Sequence, residues 1–189
     1  MEAFEQFVAL AMESEGLVVA EAQKFPVQIQ TNKVAYTEFQ THGFEVDLVG
    51  ARQDRLVLAT VKSFFGSRGV TYEGVTGTGT NGSWYALLNR PEVRETVTRL
   101  AAERFGYRLD QVEMRLYAGK FAGGGHESRI REWCAAQTVG SGPIGVVGAT
   151  EVVRIVRGVA ESKSYRDNAV LTTMKVLGAV GALAPIQKS

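Results

Sequence analysis

The sequence has few of the residues that build disulfide bonds and zinc sites. Cys134 is its only cysteine, and His42 and His126 are its only histidines. A disulfide within the chain is therefore excluded, and a tetrahedral zinc site is not expected. We expect the Cys134 thiol to fill space in the hydrophobic core.

Long apolar runs and a strong net charge are also missing. No stretch is long enough to predict a membrane span, and the acidic opening MEAFEQFVALAMESEG is unlike a signal or transit peptide. Lysine and arginine number 21 against 20 acidic residues, although residues 1–62 are net acidic and residues 63–189 net basic. This asymmetry is compatible with an acidic pocket beside a basic surface, and a cytoplasmic protein is expected.

Apolar periodicity predicts the first half of the secondary structure. Phe4, Phe7, Val8, Ala11 and Met12 recur at helical spacing, so a helix is expected over residues 2–15. Strands follow at 17–31, broken or bent near Pro26, at 43–51 and at 56–63, and the turn RQDR joins the last two as a hairpin. The stretch 64–84, rich in glycine, serine and threonine, predicts a long loop.

The second half alternates helices with short strands. A helix is expected from Asn89 and Pro91 to Phe105, then a strand in QVEMRLYAGKF. Glycines 123–125 open a helix to Gln137 that buries Ile130, Trp133 and Cys134, GPIGVVGA is a short strand, and residues 150–159 form a helix. Asp167 or Asn168 is expected to cap the last helix.

This order predicts an α/β protein with a mixed central sheet and helices on both faces. The hairpin strands are antiparallel, and the helix between the third and fourth strands is a crossover. With 189 residues the chain is long enough for one domain. We expect residues 1–122 to form an αβββαβ core and residues 123–189 a C-terminal α/β extension packed on it, within one domain overall.

Acidic and basic side chains at the hairpin are the strongest chemical signal. Side chains alternate across a strand, so Glu45 is expected on the face of Asp47, and Thr60 on the face of Lys62. A hairpin that turns at Gln53 and Asp54 places Asp47 opposite Thr60. A lysine at the strand end beside a carboxylate can place an ammonium group next to a metal-bound water.

The element order, Glu5 in the first helix and the segment EVDLVGARQDRLVLATVKS resemble the PD-(D/E)XK nuclease superfamily, which has the restriction-endonuclease-like fold. The resemblance covers about residues 2–120. It implies that Asp47 matches the strand aspartate, Lys62 the lysine and Glu5 the helix acid of that superfamily. It also implies that the carboxylates hold Mg²⁺ or Mn²⁺ and that the lysine orients and activates the attacking water.

Thr60 departs from this pattern, because the superfamily has a second acid at that position. Glu45 could replace the missing carboxylate, Glu21 or Glu73 could move in, or the site no longer cuts. We expect Glu5, Glu45 and Asp47 to be metal ligands and, with Lys62, catalytic residues. Each of these residues also has a purely structural interpretation, as a helix-start acid, a strand-face residue, a turn-flanking acid or a solvated lysine.

The expected function is therefore a Mg²⁺-dependent DNA endonuclease. A homodimer fits this function, because two copies related by a two-fold axis can cut two strands. The alternative is a catalytically inactive module of the same fold that binds nucleic acid or a partner protein.

The segment GVTGTGTNGS lacks the motifs of a nucleotide-binding loop. Trp84, Tyr85 and five arginines could form a phosphate-contacting surface, although solvated helix faces explain most of the arginines equally well: Arg90, Arg94, Arg104, Arg129 and Arg131.

Overall fold

The computed structural model describes residues 2–30, 39–162 and 168–183. Helix α1 (Ala3–Ser14) precedes strands β1 (Val18–Gln30), β2 (Phe39–Arg52) and β3 (Arg55–Lys62). Next come α2 (Tyr72–Thr76), a 3₁₀ helix (Gly82–Tyr85), α3 (Ala86–Asn89) and α4 (Pro91–Phe105). A second 3₁₀ turn (Leu109–Gln111), β4 (Val112–Ala118), α5 (His126–Ala135), β5 (Gly145–Gly148), α6 (Ala149–Glu161) and α7 (Ala169–Ala179) complete the described elements.

The strands form one mixed sheet in the order β1-β2-β3-β4-β5. Strand β2 is antiparallel to both β1 and β3, whereas β4 is parallel to β3 and β5 is parallel to β4. The predicted hairpin is confirmed, because Arg52 and Arg55 are the last pair before its turn. The α/β class and the mixed sheet predicted from the sequence are therefore correct.

Strand β3 is buried on both faces. Leu56 and Leu58 belong to one hydrophobic core, together with residues of α4 and α5, and Val57, Ala59 and Val61 belong to another, with residues of α1, α6 and α7. Helices therefore cover both faces of the sheet, as predicted. This double burial explains why the sequence of β3 is a continuous apolar run rather than an alternating one.

Three local predictions need correction or completion. Strand β1 runs through Pro26 without a break, because β1 is at the sheet edge, where a missing N–H costs no pairing. The backbone irregularity lies at Ala22, whose φ of 49° is in the left-handed region. The predicted loop 64–84 contains α2 and a 3₁₀ helix, and Asn168 caps α7. Thr31 and Asp167 lie outside the described residues.

No helix within the described residues is both long and apolar enough to cross a lipid bilayer.

Cys134 is fully buried, and burial raises the pKa of its thiol to about 12. Because the reactive species is the thiolate, we expect native protein at pH 8 to resist a disulfide-exchange reagent. Protein unfolded in guanidinium should react completely. This contrast would show that burial in the folded core protects the thiol. Absorbance of the released chromophore measures both rates, and rapid stoichiometric reaction of native protein would contradict the prediction.

Candidate functional site

The candidate site lies where β2 separates from β3. Away from the turn, the regular pairing of these strands ends with Leu48 and Ala59, and Asp47 and Thr60 are the next residues along the two strands. Thr60 Oγ1 donates a hydrogen bond to Asp47 Oδ2 at 3.1 Å, and the backbone N–H of Val61 donates to the same oxygen at 2.6 Å. The prediction that Asp47 lies opposite Thr60 is confirmed.

Lys62 reaches the same carboxylate. Its Nζ lies 3.7 Å from Asp47 Oδ2, and the two side chains are 20% and 17% exposed. The strand end that carries Lys62 is held in place because its carbonyl accepts a hydrogen bond of 2.8 Å from the N–H of Gly119, just after β4. The ammonium and the carboxylate are thus fixed together at a position that solvent can reach.

A cavity of about 250 Å³ opens at this point. Asp47 and Lys62 line it together with Glu2 and Glu5 from the start of α1. Glu5 Oε2 accepts a hydrogen bond from the backbone N–H of Glu2 at 2.8 Å, and Glu2 Oε2 accepts one from Ser63 Oγ at 2.9 Å. The bond between Glu2 and Ser63 ties the start of α1 to the end of β3, so residues far apart in sequence share one cavity.

The structure does not bring Glu45 into this cavity. Its carboxylate lies 3.6 Å from Lys24 Nζ and is 45% exposed. Simple alternation does not hold along this part of β2, because Val46 and Val49 belong to one core while Leu48 belongs to the other. A spacing of two residues therefore does not place Glu45 beside Asp47.

The other two candidate acids also lie elsewhere. Glu21 lines a separate cavity of about 370 Å³ beside α1. The Glu73 carboxylate lies 3.6 Å from His126 Nδ1 and 3.5 Å from Arg129 Nη1. Glu2, which the residue pattern did not predict, is the additional acid at the cavity. Its position directly before the helix that carries Glu5 is the only sequence signal that could have indicated it.

The described residues form no closed metal site. Within residues 2–30, 39–162 and 168–183, no three histidine, cysteine, aspartate or glutamate side chains are grouped closely enough to hold a metal ion. Glu2 and Glu5 line the cavity, but their hydrogen bonds to Ser63 and to the helix start hold each carboxylate in a different place. Magnesium is often bound by one or two carboxylates together with substrate phosphates. Asp47 and Glu5 could provide such carboxylates.

Charge in the cavity favours a cation before a phosphate. Three carboxylates face one ammonium group there, and the hydroxyl of Thr60 adds no charge. Like charges a few ångströms apart repel by about 1 kcal/mol in water and more near a protein surface. These carboxylates therefore oppose the approach of a phosphodiester to Lys62, and a bound cation would reduce that repulsion.

Aromatic side chains form one wall of the cavity. Phe64 and Trp84 both line it, and their ring centroids are 6.0 Å apart. Phe64 has a φ of 44°, a conformation that costs a residue other than glycine about 1–3 kcal/mol and that is often found at functional positions. Trp84 is 58% exposed, which is unusual for a side chain of its size.

The structure removes Arg94 and Tyr85 from the predicted phosphate-contacting surface and gives the other four arginines partners within the chain. Arg94 is buried and donates to the carbonyl of Leu88. Arg104 lies over the ring of Phe25. The remaining three are held in ion pairs with nearby glutamates: Arg90 with Glu92, Arg129 with Glu73, and Arg131 with Glu127 and Glu151. Tyr85 is buried as well, and burial raises its pKa to about 12.

A larger cavity, about 780 Å³, lies beyond the ends of β4 and β5. Its wall includes Gly123, Gly124 and Gly125, and its charged side chains include the ion-paired group of Arg131, Glu127 and Glu151. The acidic and basic side chains of this cavity balance, whereas the cavity near Asp47 and Lys62 is lined by three carboxylates and one ammonium group and is therefore the better candidate for binding a cation.

No protein-family model, curated protein or solved structure matches this chain.

Proposed function

We propose that this chain is a Mg²⁺-dependent DNA endonuclease of the PD-(D/E)XK type, with a restriction-endonuclease-like fold. The observation that carries the proposal is the contact between Lys62 Nζ and Asp47 Oδ2, in a solvent-accessible cavity that Glu5 also lines. The order of one helix, three antiparallel strands, a crossover and a fourth strand parallel to the third supports it.

Each residue of the site has a defined task in this proposal. Asp47 is oriented by the Val61 N–H and the Thr60 hydroxyl, which leaves its second oxygen for a cation. Lys62 Nζ lies beside Asp47 and can donate a hydrogen bond to a phosphate oxygen or to the attacking water. A bound Mg²⁺ would neutralise charge on the phosphate, and Glu5 would help to hold it.

Cleavage of both DNA strands is most simply achieved by two copies of this site. A two-fold homodimer would supply them, since the two strands of a duplex are themselves related by two-fold symmetry. We include the homodimer in the proposal as its expected assembly.

The first test is a plasmid-nicking assay on wild type and on Asp47→Asn. Asparagine keeps an oxygen that can accept the hydrogen bonds from Val61 and Thr60, but it loses the charge that binds a cation. We expect Mg²⁺- or Mn²⁺-dependent nicking by wild type and a loss of about 100- to 1000-fold in Asp47→Asn. Gel quantification of nicked plasmid against time measures both rates.

Glu45→Gln is the matched control for that variant, because it removes a carboxylate from the same strand but outside the cavity. Its nicking rate should stay within about twofold of wild type. Equal loss in both variants would mean that general charge rather than the site matters. Absence of metal-dependent nicking by wild type would refute the endonuclease proposal.

A second function is favoured by the surroundings of Thr60. Asp47 Oδ2 already accepts two hydrogen bonds and faces Lys62, and a hydroxyl stands where the superfamily has an acid. Such a site could bind nucleic acid or a partner protein without cutting. Fluorescence anisotropy with labelled DNA distinguishes this function from cleavage, because a binding module retains affinity while plasmid remains intact in Mg²⁺.

A further inference from the structure

We infer that Trp84 is a stacking platform for an unpaired base, so that the substrate of this site is single-stranded DNA or a duplex with an unpaired nucleotide. The inference rests on the proposed function, because it places the phosphate of that nucleotide beside Lys62 and Asp47. Trp84 lines the same cavity of about 250 Å³ as these two residues.

The indole is exposed although its chain segment is firmly anchored. Trp84 is 58% exposed, whereas Tyr85, Leu87 and Leu88, which follow it, are buried. Just before it, the carbonyl of Gly82 accepts a hydrogen bond of 2.9 Å from Asn89 Nδ2. An aromatic ring presented to solvent on a rigid segment can bind a flat partner with little loss of conformational freedom.

The packing around Trp84 also fixes its place beside the charged groups. Its ring contacts Phe64, only two residues beyond Lys62, with 6.0 Å between centroids and an angle of 45°. A side chain at Gly82 would meet the Gly77 backbone at 2.8 Å, so the segment sits close against the preceding loop. The indole is thereby held at the wall of the Lys62 cavity.

Chemistry points to a base rather than to another planar group. Aromatic side chains stack on nucleobases regardless of sequence, and the cavity carboxylates can accept hydrogen bonds from exocyclic amino groups. Within a duplex, both faces of each base are covered by neighbouring bases. Trp84 can therefore stack only on a base that is unpaired, frayed or rotated out of the helix.

Trp84 can report its own binding. The chain has two tryptophans, so Trp133→Phe leaves Trp84 as the single source of indole fluorescence. This variant is titrated with a labelled single-stranded DNA 12-mer and with the corresponding blunt duplex, in Ca²⁺ and in EDTA. Label anisotropy gives the bound fraction, and a gel shows that the strand stays intact.

We expect the single strand to quench Trp84 emission strongly and the duplex to quench it weakly at an equal bound fraction. Trp84→Ala should weaken binding of the single strand by about 5- to 150-fold, which is the usual effect of removing one stacking ring, and binding of duplex by less than about twofold. Phe39→Ala is the matched control, because Phe39 is 61% exposed but lies at the start of β2, outside the cavity that Trp84 lines. Its affinities should not change.

Equal quenching by both DNAs, binding without quenching, or no binding of either DNA would overturn the inference. An RNA 12-mer of the same sequence is titrated in parallel; stronger quenching by RNA would overturn the assignment to DNA. The outcomes separate this inference from the proposed function. Quenching by a strand that wild type never cuts in Mg²⁺ would refute cleavage and keep the stacking site. If wild type cuts the strand in Mg²⁺ and Trp84→Ala cuts it equally fast, the stacking site would be refuted and cleavage would be kept.

Discussion

Replacement of Lys62 by methionine is expected to lower the rate of Mg²⁺-dependent plasmid nicking by about 100- to 1000-fold. Methionine keeps most of the length of the side chain and removes the ammonium group that lies 3.7 Å from Asp47 Oδ2. Without it, none of the described residues that line the cavity carries a positive charge. Negative charge that develops on the phosphate is then less stabilised. Nicked plasmid, quantified on gels under single-turnover conditions, measures the effect.

Lys24→Met provides a closely matched control. Lys24 Nζ lies 3.6 Å from the Glu45 carboxylate, so this variant also removes the cation of a lysine–carboxylate pair, but outside the cavity. Its nicking rate should remain within about twofold of wild type, because an exposed ion pair contributes little.

Thermal unfolding separates lost chemistry from lost structure in the Lys62 variant. Asp47 keeps its hydrogen bonds from Thr60 and Val61, so the unfolding free energy of Lys62→Met should fall by no more than about 1 kcal/mol. A folded Lys62→Met protein that nicks as fast as Lys24→Met would exclude the proposed role of Lys62.

Introduction of glutamate at position 60 should make folding depend on Mg²⁺. Thr60 is only 5% exposed and donates its hydroxyl hydrogen to Asp47. In Thr60→Glu two carboxylates compete for this space, and without a cation we expect the unfolding free energy to fall by about 3 kcal/mol. Saturating Mg²⁺ should recover most of that loss, because the ion binds the folded state alone.

The measurement is the unfolding temperature with and without Mg²⁺, accompanied by the nicking rate in Mg²⁺. We expect the rate of Thr60→Glu to exceed that of wild type by about tenfold, since a second carboxylate strengthens the site for a hard cation. Thr60→Gln is the control of equal shape without the charge, and Mg²⁺ should leave its unfolding temperature nearly unchanged. An equal response to Mg²⁺ in both variants would argue against a metal site beside Asp47.

The hairpin shows how far the residue pattern reaches. Strand alternation and a short turn are local properties, so the sequence could place Asp47 opposite Thr60, and their hydrogen bond is present. The same reasoning failed for Glu45, because alternation along β2 is interrupted next to Asp47. Ala22 lies on β1 across from Asp47 and has a left-handed φ of 49°. The residue order gives no sign of this distortion.

The order of residues was enough to predict most of the helices and strands, the helices on both faces of the sheet and a carboxylate beside Lys62 at one strand end. Those features follow from residue spacing along single segments. Tertiary packing brings Glu2 and Trp84 to the same cavity and places the arginines in packing contacts and ion pairs. Such placements depend on how distant segments pack, and spacing along the chain carries no information about that.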